Sequence, residues 1–277
     1  MIRRLRVSSD VDALLRRAVY STPYFCSAAG QRLQLLGITR TLGGDLGCGE
    51  RILGLPVRGA ARIQNPMEIH ALPAGPIETN AYLLTDRARG EAVLVDAPHE
   101  VLPSVQALLQ QTGCKLVALL ITHGHWDHTG DAARVQRTGV PLYAHEADRV
   151  FIETPEVMEL FVVPGLRLEA AKIDRVVAQG DTFELLGETV EVRHVPGHCP
   201  GNVLFHFRNS GAAFVGDAIF AGSVGRTDFP GGGFEMLEHS IRTQIYTLPD
   251  ATVLYPGHGP ETTVAEEKAN NPYVRSR

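Results

Sequence analysis

The feature that most constrains this chain is the run Thr122-His-Gly-His-Trp-Asp-His-Thr-Gly130, which closes the apolar stretch Leu116–Thr122. An uninterrupted apolar segment of that length predicts a strand buried on both faces. Four ionisable side chains within six positions serve no purpose in a packed core. The fold must therefore bring a strand end to a place where polar groups converge. His123 and His125 lie two apart, so in extended backbone they project to the same side and can meet one cation. Asp127 and His128 follow where the chain turns into a helix, predicted over Asp127–Thr138 and closed by Gly139, and they can address a neighbouring cation. Imidazole nitrogens combined with carboxylate oxygens suit zinc, iron or manganese. The spacing is unlike HExxH, in which both histidines lie on one helical turn.

Three further residues repeat the theme. His198 lies in Pro196-Gly-His-Cys-Pro-Gly201, Asp217 ends Ala212-Ala-Phe-Val-Gly-Asp217, and His258 lies in Pro256-Gly-His-Gly-Pro260. Each is a polar residue at the C-terminal end of an apolar strand, flanked by Gly or Pro, where loops on a rigid sheet carry ligands. The other six histidines (70, 99, 145, 194, 206 and 239) are expected to be surface or satisfied polar residues, with His194 and His206 inside strands. Cys199 is expected to sit in a tight loop with no catalytic role, and Trp126, the single tryptophan, to anchor the ligand loop by packing.

Short strands are predicted at Glu68–Leu72, Asn80–Thr85, Glu91–Asp96, Leu116–Thr122, Thr189–Val195, Asn202–Phe207, Ala212–Asp217 and Thr252–Tyr255. Helices are predicted at Val101–Thr112, with Gly113 as its stop, and at Glu235–Leu248. Hairpin spacing early in the chain, with helices interspersed, predicts two packed sheets with helices outside rather than a doubly wound sheet. The 277 residues, 44% apolar and 21% charged, suffice for a sizeable core, and no apolar run reaches the length of a membrane span. Four cysteines without a CxxC pair point to a reducing compartment, taken as the cytoplasm. Residues 1–66 hold ten arginines, no lysine and four acids, a net +6, whereas 67–277 carries −11. That shift marks a boundary at Met67. The first 66 residues read as an irregular extension: a mis-assigned start, a transit peptide implying an organelle, or a small adaptor, with a short helix at Val11–Tyr20 and a loop at Gly37–Gly59. The acidic remainder has no basic stripe for nucleic acid.

From Met67 onward the chain resembles the metallo-β-lactamase superfamily, whose HxHxDH, His, Asp, His pattern is matched by His123, His125, Asp127, His128, His198, Asp217 and His258. The resemblance implies an α/β, four-layer αβ/βα sandwich as one hydrolase domain over 67–277. It implies two divalent metals, zinc first, with iron or manganese as alternatives. His123, His125 and His198 would hold one, Asp127, His128 and His258 the other, and Asp217 would bridge them. Asp127 and Asp217 would thereby serve the chemistry, attack of a metal-bridging hydroxide on a carbonyl. The stretch Gly216–Gly232, the opening Leu72–Asn80 and the tail Ala265–Tyr273 resemble the glyoxalase II group. That implies hydrolysis of a small-molecule thioester of the S-D-lactoylglutathione type, with neither nucleic acid nor membrane as partner. The helical segment that holds glutathione in the longer enzymes is missing here, so Arg226 and Lys268 are the candidate substrate-binding bases. The run Gly225–Phe229 also resembles persulfide dioxygenases. On that alternative one iron would sit on His123, His198 and Asp217, although Trp126 and Pro230 depart from the dioxygenase pattern.

Overall fold

A computed structural model describes residues 67–275; the expectations for residues 1–66, including the helix at Val11–Tyr20 and the boundary at Met67, lie outside them or at their edge. The first sheet takes β1 (Glu68–Ala74), β2 (Thr79–Asp86), β3 (Glu91–Val95), β4 (Lys115–Leu120), β5 (Leu142–His145) and β6 (Arg175–Val177), in that spatial order. The second takes β7 (Thr182–Leu185), β8 (Glu188–His194), β9 (Val203–Phe207), β10 (Ala212–Gly216), β13 (Val253–Pro256) and β14 (Thr262–Thr263), ordered β14-β13-β10-β9-β8-β7. A small hairpin, β11 (Ile219–Phe220) and β12 (Ser223–Val224), stands apart from both.

Alternation along the strands builds three apolar seams. Tyr82, Leu84, Val93, Val95, Val203 and Phe205 point into the space between the sheets. Their neighbours Leu83, Leu94 and Leu119 point the other way, against Val105 of α1 (Leu102–Thr112). On the far side Leu204, Ala213 and Val215 meet Leu237 of the later helix. The result is helix, sheet, sheet, helix, as the resemblance implies. Helix α1 stops where expected, with Gly113 left-handed at φ 71° and its N–H on the Leu109 carbonyl.

Two predicted helices differ. The segment 127–138 splits into α2 (Trp126–Thr129) and α3 (Ala132–Gln136). The break arises because the Asp131 N–H donates to Ala97 (2.8 Å) and the His128 carbonyl accepts from the Ala97 N–H (2.8 Å), so these groups leave the helical ladder. After α4 (Arg149–Glu153), α5 (Phe234–Ser240) ends early and widens into a π-helical turn over Ile241–Ile245, where the Tyr246 N–H reaches the Ile241 carbonyl. The Tyr246 hydroxyl is held there by the carbonyls of Glu267 (2.9 Å) and Val274 (2.7 Å), the former in α6 (Val264–Asn270). Strands β5, β6 and β7 have only three or four residues each, too short to show a period, and the sequence does not reveal them. Among the described residues no helix is long and apolar enough to cross a membrane.

Strand direction sets the site. In the first sheet β3, β4 and β5 are mutually parallel, so their C-terminal ends share one edge. In the second, β8 and β10 each pair antiparallel with β9, and β10 is parallel to β13, so these three also end together. The two edges are tied to each other. The Val203 N–H donates to the Thr122 carbonyl (2.9 Å), the Asn80 N–H to Gly257 (2.7 Å), and the Tyr82 hydroxyl to the Pro256 carbonyl (2.7 Å).

Candidate metal centre

All seven residues singled out from the spacing lie at this joined edge. His123 and His125 follow β4, His198 follows β8, Asp217 follows β10 and His258 follows β13. Asp127 and His128 open α2. The ligand atoms fall into three overlapping groups, each within 4.8 Å: His123, His125 and His198; His123, His128 and Asp217; and Asp127, His128 and His258. The His125 Nδ1 stands 3.1 Å from the His123 Nε2 and 2.8 Å from the His198 Nε2. The His128 Nε2 lies 3.3 Å from both Asp127 Oδ2 and Asp217 Oδ1, and the His258 Nε2 lies 3.3 Å from Asp127 Oδ2. Asp217 faces both sets: its Oδ2 is 3.6 Å from the His198 Nε2 and from the His258 Nε2.

The rings are aimed by partners on their outer side. The His198 Nδ1–H donates to the Arg226 carbonyl (2.8 Å) and the His128 Nδ1–H to Asp96 Oδ2 (2.8 Å), which turns each Nε2 inward. Burial, joined by the neighbouring imidazoles, keeps His123 well below the usual histidine range. Burial and His198 push His125 down to about 3. Both rings are therefore neutral and have lone pairs to give. Burial opposes charge on His128 as well, but the carboxylates of Asp127, Asp217 and Asp96 outweigh it and hold that ring well above its ordinary value. Asp217 stays below the ordinary carboxylate range although burial pulls the other way, because His128 is beside it.

These residues fit a divalent metal. Among the described residues, four buried side-chain atoms lack a hydrogen-bond partner, and two of them, His128 Nε2 and Asp217 Oδ1, face each other here. Converging ring nitrogens and carboxylate oxygens, with buried polar atoms left unpartnered, are costly unless a cation satisfies them. The packing also leaves room for one: a Cβ on Gly257 would collide with Asp217 Oδ1 and with the His128 ring.

Two buried carboxylates escaped the sequence reading. Asp96 closes β3 in the left-handed region at φ 57°, which aspartate tolerates better than most side chains. Its Oδ1 accepts the Thr122 N–H (2.8 Å), and its Oδ2 accepts the Thr122 hydroxyl (2.8 Å) and His128. Asp148, fully buried beyond β5, accepts the N–H groups of Gly124 and Gly201, each at 2.7 Å, and thereby joins two ligand loops. Cys199 donates its thiol to Asp148 (3.2 Å), and burial pushes that thiol well up. The signal for Asp96 was its place at a strand end; Asp148 follows a strand too short to recognise.

The cleft over the centre holds about 410 Å³ and is lined by Trp126, Phe161, Phe220, Arg226 and Phe229 besides the ligands. Trp126 is buried and walls the cleft. Arg226 lines it too, but its guanidinium forms a two-pronged pair with Asp228 (2.7 Å each) and lies 4.1 Å over the Phe229 ring. Lys268 is not among the cleft-lining residues; its ammonium lies 2.6 Å from Asp250. Of the six other histidines, His145 and His194 stack at 4.2 Å. His206 departs from the expectation of a satisfied side chain: central in its sheet, it keeps a buried Nδ1 without a hydrogen-bond partner.

Known proteins agree with this architecture. Hydroxyacylglutathione hydrolase GloC of Haemophilus influenzae is 36% identical over 215 residues, covering 76% of this chain and 100% of that protein. The crystal structure of BLEG-1 B3 metallo-β-lactamase is 33% identical with a TM-score of 0.70, covering 75% of this chain and 99% of that one. The di-iron-bound structure of TTHA1623 is 34% identical with a TM-score of 0.63, covering 74% and 100%. The family model of the metallo-β-lactamase superfamily matches residues 74–258, a span that contains every strand-end histidine and aspartate described above, and the chain belongs to that superfamily.

Proposed function

We propose that this protein is a hydrolase of small thioesters carried on glutathione, working with two divalent cations. The observation that carries the reading is Asp217, whose two oxygens face His128 on one side and His198 and His258 on the other. A carboxylate shared in this way suits a bridge between a cation on His123, His125 and His198 and another on Asp127, His128 and His258. When bound, such a pair makes hydroxide available near neutral pH and polarises a carbonyl. The chain's own part is to aim the ring nitrogens through Asp96 and the Arg226 carbonyl, to hold Asp127 through the Thr79 hydroxyl (2.9 Å), and to shield the centre with Trp126, Phe161 and Phe229. The activity named for GloC supports a glutathione thioester, zinc is the first candidate metal, and the di-iron neighbour keeps iron in view. The free, buried Cys114 and Cys199 suit a reducing cytoplasm.

The test gives purified protein S-D-lactoylglutathione while thioester absorbance, dissolved oxygen and bound metal are followed together. Thioester loss without oxygen uptake, with two metals per chain, is the expected result, and Asp217→Ala should lose metal and turnover together. Oxygen uptake with glutathione persulfide and no thioester loss would instead assign a one-iron dioxygenase. A β-lactam run in parallel tests the activity named for BLEG-1.

A further inference from the structure

Beside the centre lies a second, smaller cavity of about 240 Å³. Its walls are Val150 and Phe151 of α4, Val157, Met158 and Phe161 of the turn that follows, and Phe229. His125, Met158, Phe161 and Phe229 line both cavities, so the small one opens beside the imidazole that stands between His123 and His198. The Phe229 ring lies 4.7 Å from the His125 ring and 5.6 Å from that of Phe161. The wall is anchored. Ile152 is buried, its carbonyl accepts the Ala171 N–H (3.1 Å), and Glu153 accepts the Ile173 N–H (3.0 Å). Yet its inner lining is apolar, and Val150 keeps 42% of its surface exposed at the rim.

Resting on the thioesterase reading above, we propose that this cavity is the acyl subsite and that it takes an unbranched apolar acyl chain rather than a hydroxyacyl group. A thioester has two arms. A peptide-sized, multiply charged thiol carrier fits neither the volume nor the lining, whereas about eight water-sized groups fill such a space. With the carbonyl at the centre, the acyl arm is the one that reaches past His125 between Met158 and Phe229. A hydroxyl on that arm would enter a wall with no polar side chain besides His125 and would lose its hydrogen bond to water.

The experiment compares kcat/KM for acetyl-, butyryl-, hexanoyl- and D-lactoylglutathione on the metal-loaded enzyme, with calorimetric binding of hexanoate and D-lactate beside it. The expected result is a rise of roughly threefold per added methylene until the cavity fills, with the lactoyl ester below the butyryl ester. Val150→Asp, at an exposed rim position, should cut the hexanoyl-to-acetyl ratio by about tenfold, because its carboxylate resists desolvation. Val157→Phe, which fills the cavity, should move the optimum to a shorter chain. A flat series, a preference for lactoyl, or an unchanged ratio in Val150→Asp overturns the subsite. If no thioester is turned over, the function reading fails by itself. The cavity assignment then stands if hexanoate binds more tightly than D-lactate, and falls if it does not.

Discussion

Asp96 shows how much one residue can decide. Its two oxygens accept three donors, two from Thr122 and one from His128, in a fully occluded setting. Asp96→Asn would turn one of those acceptors into a donor facing donors, while changing almost no volume. The His128 ring would lose its orientation, and metal affinity should fall roughly 10–100-fold, the loss usual when a ligating histidine loses its carboxylate partner. Titrating metal-free protein with zinc measures this directly; affinity within twofold of the wild type would remove Asp96 from the site. The candidate ligands His123, His125, Asp127 and His128 were legible because four ionisable groups in six positions have no packing role. Asp96 and Asp148 were not, since a single aspartate after a strand looks like any turn residue.

At the scale of elements, the site depends on loops from two sheets keeping a common position. Asp148 performs that task between the loops after β4 and β8, bonding Gly124 and Gly201, 53 positions beyond it at the farther end. Asp148→Ala leaves two buried N–H groups without acceptors, each costing about 1–3 kcal/mol. Thermal or urea unfolding should therefore show a loss of about 2–6 kcal/mol. A change under about 0.5 kcal/mol, the range of ordinary surface substitutions, would mean that the loops are held elsewhere. The helix at 127–138 was misjudged at this same scale. Two backbone hydrogen bonds to Ala97, some thirty positions away, outweigh local propensity and break the helix after Thr129.

For the molecule as a whole, metal and fold should be linked. The unfolded chain does not gather these ligands, so cations bound only by the native state stabilise it by mass action, by about 4 kcal/mol at a thousandfold excess over Kd. For a domain of this size that raises Tm by about 10 °C. Zinc added to metal-free protein should reproduce the shift, and a chelator should reverse it. An unchanged Tm would argue against a native-state metal centre. A chain begun at Met67 should keep both the shift and the turnover, since the family match falls within 74–258. Loss of either would give the first 66 residues a structural task.

The sequence by itself determined eight of the twelve strands of the two central sheets, the four-layer order and the identity of the seven inward-facing residues. These are encoded over short distances, as apolar alternation along one strand or as polar residues where a strand stops. Only the tertiary structure decided how closely the candidate ligands approach one another, that Asp96 and Asp148 brace them, and that an apolar cavity opens beside His125. Each of those facts depends on residues tens to more than a hundred positions apart. They meet because β3, β4 and β5 in one sheet, and β8, β10 and β13 in the other, end at one shared edge.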